Sequence, residues 1–429
     1  MKSPPSSCPV HAHPPALADA FDPFSAEYLA NPYAFFAQAR DTAPAFYSQT
    51  LGYWVMTRYA DIKAALKDHE LFSSYNSTDP FTPISAETAR VFREGGYGMK
   101  RILLNNVPPD HTRVRKHVYA AFTPHRIAKL EPKIRDLATT RVQSMLSQHV
   151  LHKRADIVQA LTYELPALVI FALLGLSDDD VPAVKAGSES RVLFTWGKPS
   201  AEQQTQLARD MVAFWQLSEQ FVNTRLSQPQ DDFTSDLIRS RDHAPAGQKD
   251  AVLSIGEIVS VVFGLLLAGH ETTTGLLTNG LRQLLARPTL WAQLVSQPAL
   301  IPAAVEEILR HDTSVIAMRR LTTREAKVGD VTIPAHANVL LLIGAGNHDK
   351  SVFADPADFD TNRPNAREHL SFGFGIHYCI GAPLARLEAR VVFEVLAKHM
   401  PSLTLEPNQQ YEFLPNTSFR GPRQLWVHW

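Results

Sequence analysis

A mainly α fold with small β-sheets is predicted, on three observations. Helical periodicity runs almost unbroken over residues 110–311, and short strand-like pieces gather towards either end, at 45–57 and beyond 328. No internal repeat or linker divides the chain between them. The 429 residues are therefore read as a mobile Pro- and Ser-rich tail, residues 1–20, followed by a single domain, residues 21–429.

In chain order, a short helix is expected over 31–40. Two strand-like pieces follow at 45–57 around Leu51-Gly52, then a helix over 59–67. Residues 70–106 dissolve into Ser, Thr, Pro and Gly with scattered aromatics, a long loop of the kind that covers a site. Helices are predicted over 110–122, 124–148, 156–174, 201–226, 254–286, 289–296 and 301–311, punctuated by prolines and short polar linkers. Strand-like pieces return at 328–333, with a Gly329-Asp330 turn, and at 339–343. A coil over 349–370 then leads through a cysteine-bearing loop to a last helix, and 402–429 is strand-like again.

Composition bounds the partners. With 45% hydrophobic and 20% charged residues and a net charge of −1, the chain has the make-up of an ordinary globular protein and no bias towards nucleic acid. Its start, MKSPPSSCPVHAHPP, lacks the apolar centre of a secretory signal. The most apolar runs, 165–176 and 258–268, fall short of the ~20 residues that span a bilayer, so no membrane anchor is expected. Two cysteines, Cys8 and Cys379, offer no disulfide framework, which suits a reducing cytoplasm. Cys8, His11 and His13 have metal-ligating side chains, but nothing near them would fix a geometry, and they are assigned to the tail.

The chemistry centres on FGFGIHYCIG, residues 372–381. A thiolate just before a helix N-terminus is favoured by the dipole and the free N–H groups there, which makes Cys379 a candidate metal ligand. Gly373, Gly375 and Gly381 permit backbone angles closed to other residues and let a flat cofactor come close. Phe372 can cover the sulfur, and His377 can hydrogen-bond an acid on the cofactor. Taken alone, a lone cysteine is more simply a small buried hydrophobe. The order Phe-x-x-Gly-x-His-x-Cys-x-Gly, however, resembles the haem-binding loop of the cytochrome P450 family.

Three further groups stand in that family's order. Within the helix over 254–286, Leu265, Ala268, Gly269 and Thr272 fall at i, i+3, i+4 and i+7 and share a face. Ala268 and Gly269 leave room there for something flat or diatomic. Thr272 and the neighbouring acid Glu271 could relay a proton, since a hydroxyl donates and accepts and a partly buried carboxylic acid can have a raised pKa. The blander reading is a packing face with a back-bonded threonine. A zinc-protease motif is excluded, because Thr274 stands where a second histidine is needed. The stretch is similar to the family's oxygen-binding groove. Glu307 and Arg310 can pair on a helix, as can Glu87 and Arg90, so spacing alone says little. The position of Glu307 and Arg310 between the threonine helix and the cysteine loop is that of the family's Glu-x-x-Arg, and Arg363 matches the third member of that network. The resemblance assigns this trio to folding and to holding the loop. Finally, His111 and Arg115 lie at i and i+4 on one helix opened by Pro108, Pro109 and Asp110, and with Arg320 and His377 they form a group of four cations with no obvious acidic partner in sequence. The alternative is solvated surface charge. The resemblance makes them partners of two haem propionates, with Arg320 preferred over Arg319.

What the resemblance implies is an α-rich domain shaped like a triangular prism, with haem b (iron protoporphyrin IX) held by Cys379 and O2 as co-substrate. The activity would be a bacterial-type monooxygenase, hydroxylating or oxidatively O- or N-dealkylating a small apolar organic molecule, aromatic ones included. Electrons would come from NAD(P)H through a separate reductase system, a ferredoxin and its reductase, docking near Cys379 where Arg113, Lys116 and Arg386 add positive charge. A peroxide-driven enzyme of the same fold would not need Glu271 and Thr272. A monomer is expected. Pocket residues are expected from 70–106, 192–196, the helix near Leu265, 315–318 and 417–419, with Phe81, Phe194, Trp196 and Phe419 as its aromatic lining.

Overall fold

The computed structural model describes residues 15–242 and 252–429. Cys8, His11 and His13 lie outside the described residues. The chain opens with α1 (Pro15–Ala20), α2 (Ala26–Ala30) and α3 (Pro32–Thr42), followed by the hairpin of β1 (Ala45–Ser48) and β2 (Tyr53–Met56), then α4 (Tyr59–Lys67), β3 (Phe72–Ser73) and α5 (Ala86–Glu94). A helical series follows: α6 (Asp110–Ala121), α7 (Pro124–Lys129), α8 (Glu131–Gln148), then β4 (Arg154–Asp156), a π-helical turn at Val158–Thr162, α9 (Leu165–Leu174), α10 (Val181–Trp196), α11 (Ala201–Ser227) and α12 (Phe233–Asp242). After them come α13 (Ile255–Leu285), α14 (Pro288–Ser296), α15 (Ile301–His311), β5 (Met318–Thr322), β6 (Ala326–Val328), β7 (Val331–Ile333), β8 (Asn338–Leu341) and α16 (Ile343–Gly346). The cysteine loop then runs into α17 (Ala382–His399), and β9 (Thr404–Leu405) and β10 (Trp426–His428) close the chain.

Helix α13 is the axis of the molecule. Its start is fixed by a capping box: the Ser254 hydroxyl accepts from the Glu257 N–H, and the Glu257 carboxylate accepts from the Ser254 N–H. By length and composition this helix could cross a membrane, but it is enclosed by α9, α10, α11, α14, α15 and α17. Ile258, Val261, Val262, Leu266 and Leu277 are buried in the main core. Helix α9, LPALVIFALL, is apolar on every side because it is itself enclosed, and it stops at Gly175 in the left-handed region (φ 97°). The principal sheet has the order β1-β2-β8-β5-β3, with β2 parallel to β8 (Val55 opposite Leu340) and β5 antiparallel to β8 (Arg319 opposite Leu340). That pairing carries Met318 to Arg320 to the edge of the helical core. A second sheet, β4-β10-β9, ties the C-terminal segment back to the start of the π-helical turn.

Several predicted boundaries move. Residues 15–20, assigned to the tail, form a helix whose Leu17 is buried against the β1 region. The loop over 70–106 contains β3 and α5, the latter capped by Ser85. The single helix over 124–148 breaks at Leu130, where Pro132 in the first turn of α8 requires a new start. Residues 156–174 are a strand end, a π-helical turn and α9 in succession. Helices α10 and α12 and strand β5 were not predicted.

Candidate active site

The loop before α17 is built by two glycines that need their positive φ. Gly373 (70°) and Gly375 (71°) turn the chain, and a side chain on Gly375 would press to 2.7 Å from the Leu66 carbonyl. Gly381 differs from expectation: its backbone is ordinary right-handed helical (φ −81°), and a Cβ there would lie 3.8 Å from the Cys379 sulfur. What matters at Gly381 is the open space beside the sulfur. The Cys379 N–H donates to the Phe372 carbonyl at 2.9 Å, so Phe372 and Cys379 are locked as a pair. Arg386 lies over the Phe372 ring at 4.6 Å.

Cys379 lies deep in the molecule, yet its surface is open, because what it faces is a cavity and not packed protein. Burial pushes its thiol pKa up, against the opposing pull of the Gly381 and Ala382 N–H groups and Arg115. The N–H groups favour the thiolate in the expected direction, but desolvation is the larger effect on the metal-free thiol.

The cavity measures about 290 Å³. Cys379, Phe372 and Gly381 form one wall; Leu265, Ala268, Gly269 and Thr272 of α13 form another. The four α13 residues thus share a face, and the Thr272 hydroxyl donates to the Ala268 carbonyl at 2.9 Å, leaving its lone pairs to the cavity. Gly269 has a further reason to be glycine: an added Cβ would meet Ile170 of α9 at 2.6 Å, so the small residue is required by helix packing as well.

Glu271 departs most from expectation. It is absent from the cavity wall and turns towards α10, where its carboxylate accepts from Lys185 at 3.1 Å and contacts His270 at 2.8 Å. Burial alone would raise its pKa, but Lys185 and His270 together carry it down to about 2. It is a locked anion, not the poised acid predicted.

Arg115, Arg320 and His377 line the cavity, and His111 stands behind His377 with ring centroids 4.2 Å apart. Arg115 is anchored to the Tyr378 carbonyl at 2.7 Å. His377 contacts the Leu103 carbonyl and the Ser74 hydroxyl, both at 3.1 Å. Burial and the neighbouring arginines push His111 down to about 4 and His377 to about 2, so the two histidines are neutral and the arginines supply the charge. None of the four pairs with a carboxylate among the described residues, and the His111 Nε2 is buried without a partner. Arg319 is engaged elsewhere, donating to the Thr195 and Asp79 carbonyls and lying over Phe81.

Glu307 and Arg310 form a fully buried bidentate pair (2.7 and 2.8 Å), and Arg363 donates to Glu307 at 3.3 Å. Arg310 also donates to the Asn347 carbonyl, and the Asn347 side chain holds the Leu370 N–H and the Ser371 hydroxyl. The trio therefore reaches the entry of the cysteine loop through one intervening residue. Of the expected aromatic lining, Trp196 and Phe419 face the cavity, whereas Phe81 and Phe194 pack elsewhere. Two proposed docking cations are neutralised, Arg113 by Glu257 and Arg386 by Glu306.

Among the cavity residues that were missed, two are ionisable. Glu388 of α17 is buried on the wall, has an unpartnered Oε2 and has its pKa pushed well above the usual carboxylate range by burial. Its place on the apolar stripe with Leu384, Val391, Val392 and Val395 was a legible signal. The other, Arg191, sits on α10, a helix that was itself not predicted.

The family model "Cytochrome P450" matches residues 32–417. The chain belongs to the cytochrome P450 family. This P450 is 32% identical to the cytochrome P450 monooxygenase PikC of Streptomyces venezuelae over 94% of its own length and 92% of the relative's. The solved structure of cytochrome P450 CREJ in complex with (4-ethylphenyl) dihydrogen phosphate superposes with a TM-score of 0.90 at 38% identity, covering 96% of this chain and all of that one. Full-length CYP116B46 from Tepidiphilus thermophilus matches at 0.90 and 36% identity; there the chain spans 54% of the neighbour's length. The fold is thus the P450 fold, and the enzyme an oxidoreductase of the monooxygenase class, a class that carries haem and uses O2. The residues present fit that cofactor: a sulfur on one wall, small residues on the facing helix, two arginines without carboxylate partners, and an orphaned histidine nitrogen at the edge.

Proposed function

We propose that this P450 inserts one oxygen atom from O2 into a small apolar organic substrate, by hydroxylation or by oxidative O- or N-dealkylation. The observation that carries this is that Cys379 and Thr272 open into one cavity whose remaining walls are mostly apolar, including Leu265, Leu267, Val315, Ala317, Met318 and Phe419. Bound haem with a thiolate ligand supplies the reductive activation of O2. Cys379 would hold the iron, with the Gly381 and Ala382 N–H groups stabilising the sulfur's charge. Arg115, Arg320, His111 and His377 would hold the propionates. Thr272 would accept and donate a proton at its Oγ1, exchanging its bond to the Ala268 carbonyl for one into the cavity. Glu271, tied to Lys185 and His270, joins a relay only by leaving that pair. Glu307, Arg310 and Arg363 hold the loop and take no part in turnover.

Electrons would reach the site from NAD(P)H through a separate ferredoxin and its reductase, with exposed Lys116 on the adjoining surface. An aromatic substrate is compatible with Trp196 and Phe419 and with the phosphate ester in the CREJ structure. The protein would act as a cytoplasmic monomer. Turnover with ferredoxin, ferredoxin reductase and NADPH under heavy-isotope O2 tests the reading. One labelled oxygen per product, or per released carbonyl fragment in a dealkylation, is expected; oxygen drawn from water would overturn it.

A further inference from the structure

Helix α10 turns five polar side chains inward, Lys185, Ser188, Ser190, Arg191 and Thr195, of which Lys185 and Arg191 are ionisable. Lys185 is answered by Glu271. Arg191 is not answered. It is 5% exposed, and no carboxylate pairs with it among the described residues. Its guanidinium donates to the Phe263 carbonyl at 3.3 Å and approaches the Met99 sulfur at 3.6 Å, a weak acceptor, while the Phe263 ring lies 4.4 Å away. The other N–H groups make no hydrogen bond among the described residues. A guanidinium remains charged when buried, and a buried charge without a counter-ion is unfavourable unless something that enters the site neutralises it. Burial pulls its pKa down, the direction expected of a cation short of an anion.

Arg191 lies on the cavity wall beside Met99, Ile102, Gly264 and Leu265. Of the other cavity arginines, Arg115 and Arg320 are assigned to the haem propionates in the reading above, and Arg319 is held by two carbonyls. Among the described residues the acid on the wall is Glu388 of α17, whose pKa burial pushes up. Along α13, Ala268 and Thr272 are five and nine residues beyond Phe263, which at ~1.5 Å per residue is a reach of about 8 to 13 Å.

Resting on the monooxygenase reading above, we propose that Arg191 is a specificity-determining residue that pairs with an acidic group on the substrate. The substrate class is then an apolar skeleton bearing one carboxylate, or one phosphate or sulfate monoester, about 8 to 13 Å from the carbon that is oxidised. The acid supplies the missing counter-ion, and the apolar remainder extends along α13 towards Thr272.

Matched probes test this in the haem-loaded protein: 4-ethylphenyl phosphate against 4-ethylphenol, and decanoate against decan-1-ol, with binding read by calorimetry and by the haem spin-state change. A buried charge-assisted bond predicts that at least one acid binds about 10- to 100-fold more tightly than its neutral partner. In Arg191→Gln that preference falls to near unity, while Arg191→Lys keeps part of it. The carbon-monoxide spectrum of each variant verifies an intact site. Equal binding of acid and neutral partner in both pairs, or a preference that survives in Arg191→Gln, overturns the proposal. A wild-type spectrum without thiolate character would instead overturn the reading on which it rests.

Discussion

Glu271 shows how far a residue's chemistry depends on what the fold places beside it. The motif around Thr272 is legible because its small residues and hydroxyl recur at helical spacing; the partner of Glu271 is not, because Lys185 lies 86 positions away on a helix whose apolar pattern is interrupted. Lys185 is nearly inaccessible, so Glu271→Gln should destabilise the protein by ~3–5 kcal/mol by stranding its charge, while the Glu271→Gln/Lys185→Met double variant recovers most of that. Equal loss in both, by chemical denaturation, would refute the pairing. The pH dependence has a definite sign. With a folded pKa of about 2 against ~4.3 in the unfolded chain, Glu271 contributes stability that is complete above that unfolded value and is lost as pH falls towards 2. The double variant should therefore lose less stability on acidification. Cys379 carries the same lesson in reverse: its loop is readable from glycines and histidine, but the dominance of burial over the helix dipole required the surrounding core.

The elements that sequence located well are those with one clean signal. Helix α4 has an amphipathic pattern, α15 lies between a proline and Asp312, and α13 has its capping box. Helix α10 was obscured by its own buried polar residues, since Lys185, Ser188, Ser190 and Arg191 occupy positions where a core-facing helix should be apolar. The contact of α9 with α13 was also beyond reach, because Gly269 could be seen but not the Ile170 that fills its notch. Gly269→Ala should cost ~1–3 kcal/mol through overpacking. Adding Ile170→Ala should relieve the clash, so the double variant is more stable than the sum of the two single losses predicts. Strict additivity in thermal and denaturant unfolding would show that the notch does not couple the two helices.

At the scale of the molecule, the class of fold and the order of its motifs were legible, whereas the three-dimensional partnerships between them were not. The buried Glu307, Arg310 and Arg363 group exemplifies this: three residues recognisable only by position become one hydrogen-bonded unit that fixes the coil before the cysteine loop. The surface near that loop was misjudged for the same reason, since Arg113 and Arg386 had carboxylate partners that spacing could not reveal. The account as a whole depends on Cys379 presenting a thiolate to haem iron in the cavity opposite Thr272. The carbon-monoxide difference spectrum of the reduced, haem-loaded protein tests this most directly. A strongly red-shifted band that is lost in Cys379→Ser is the predicted result; a band at the position of histidine-ligated haem, or one unaltered in Cys379→Ser, would contradict it.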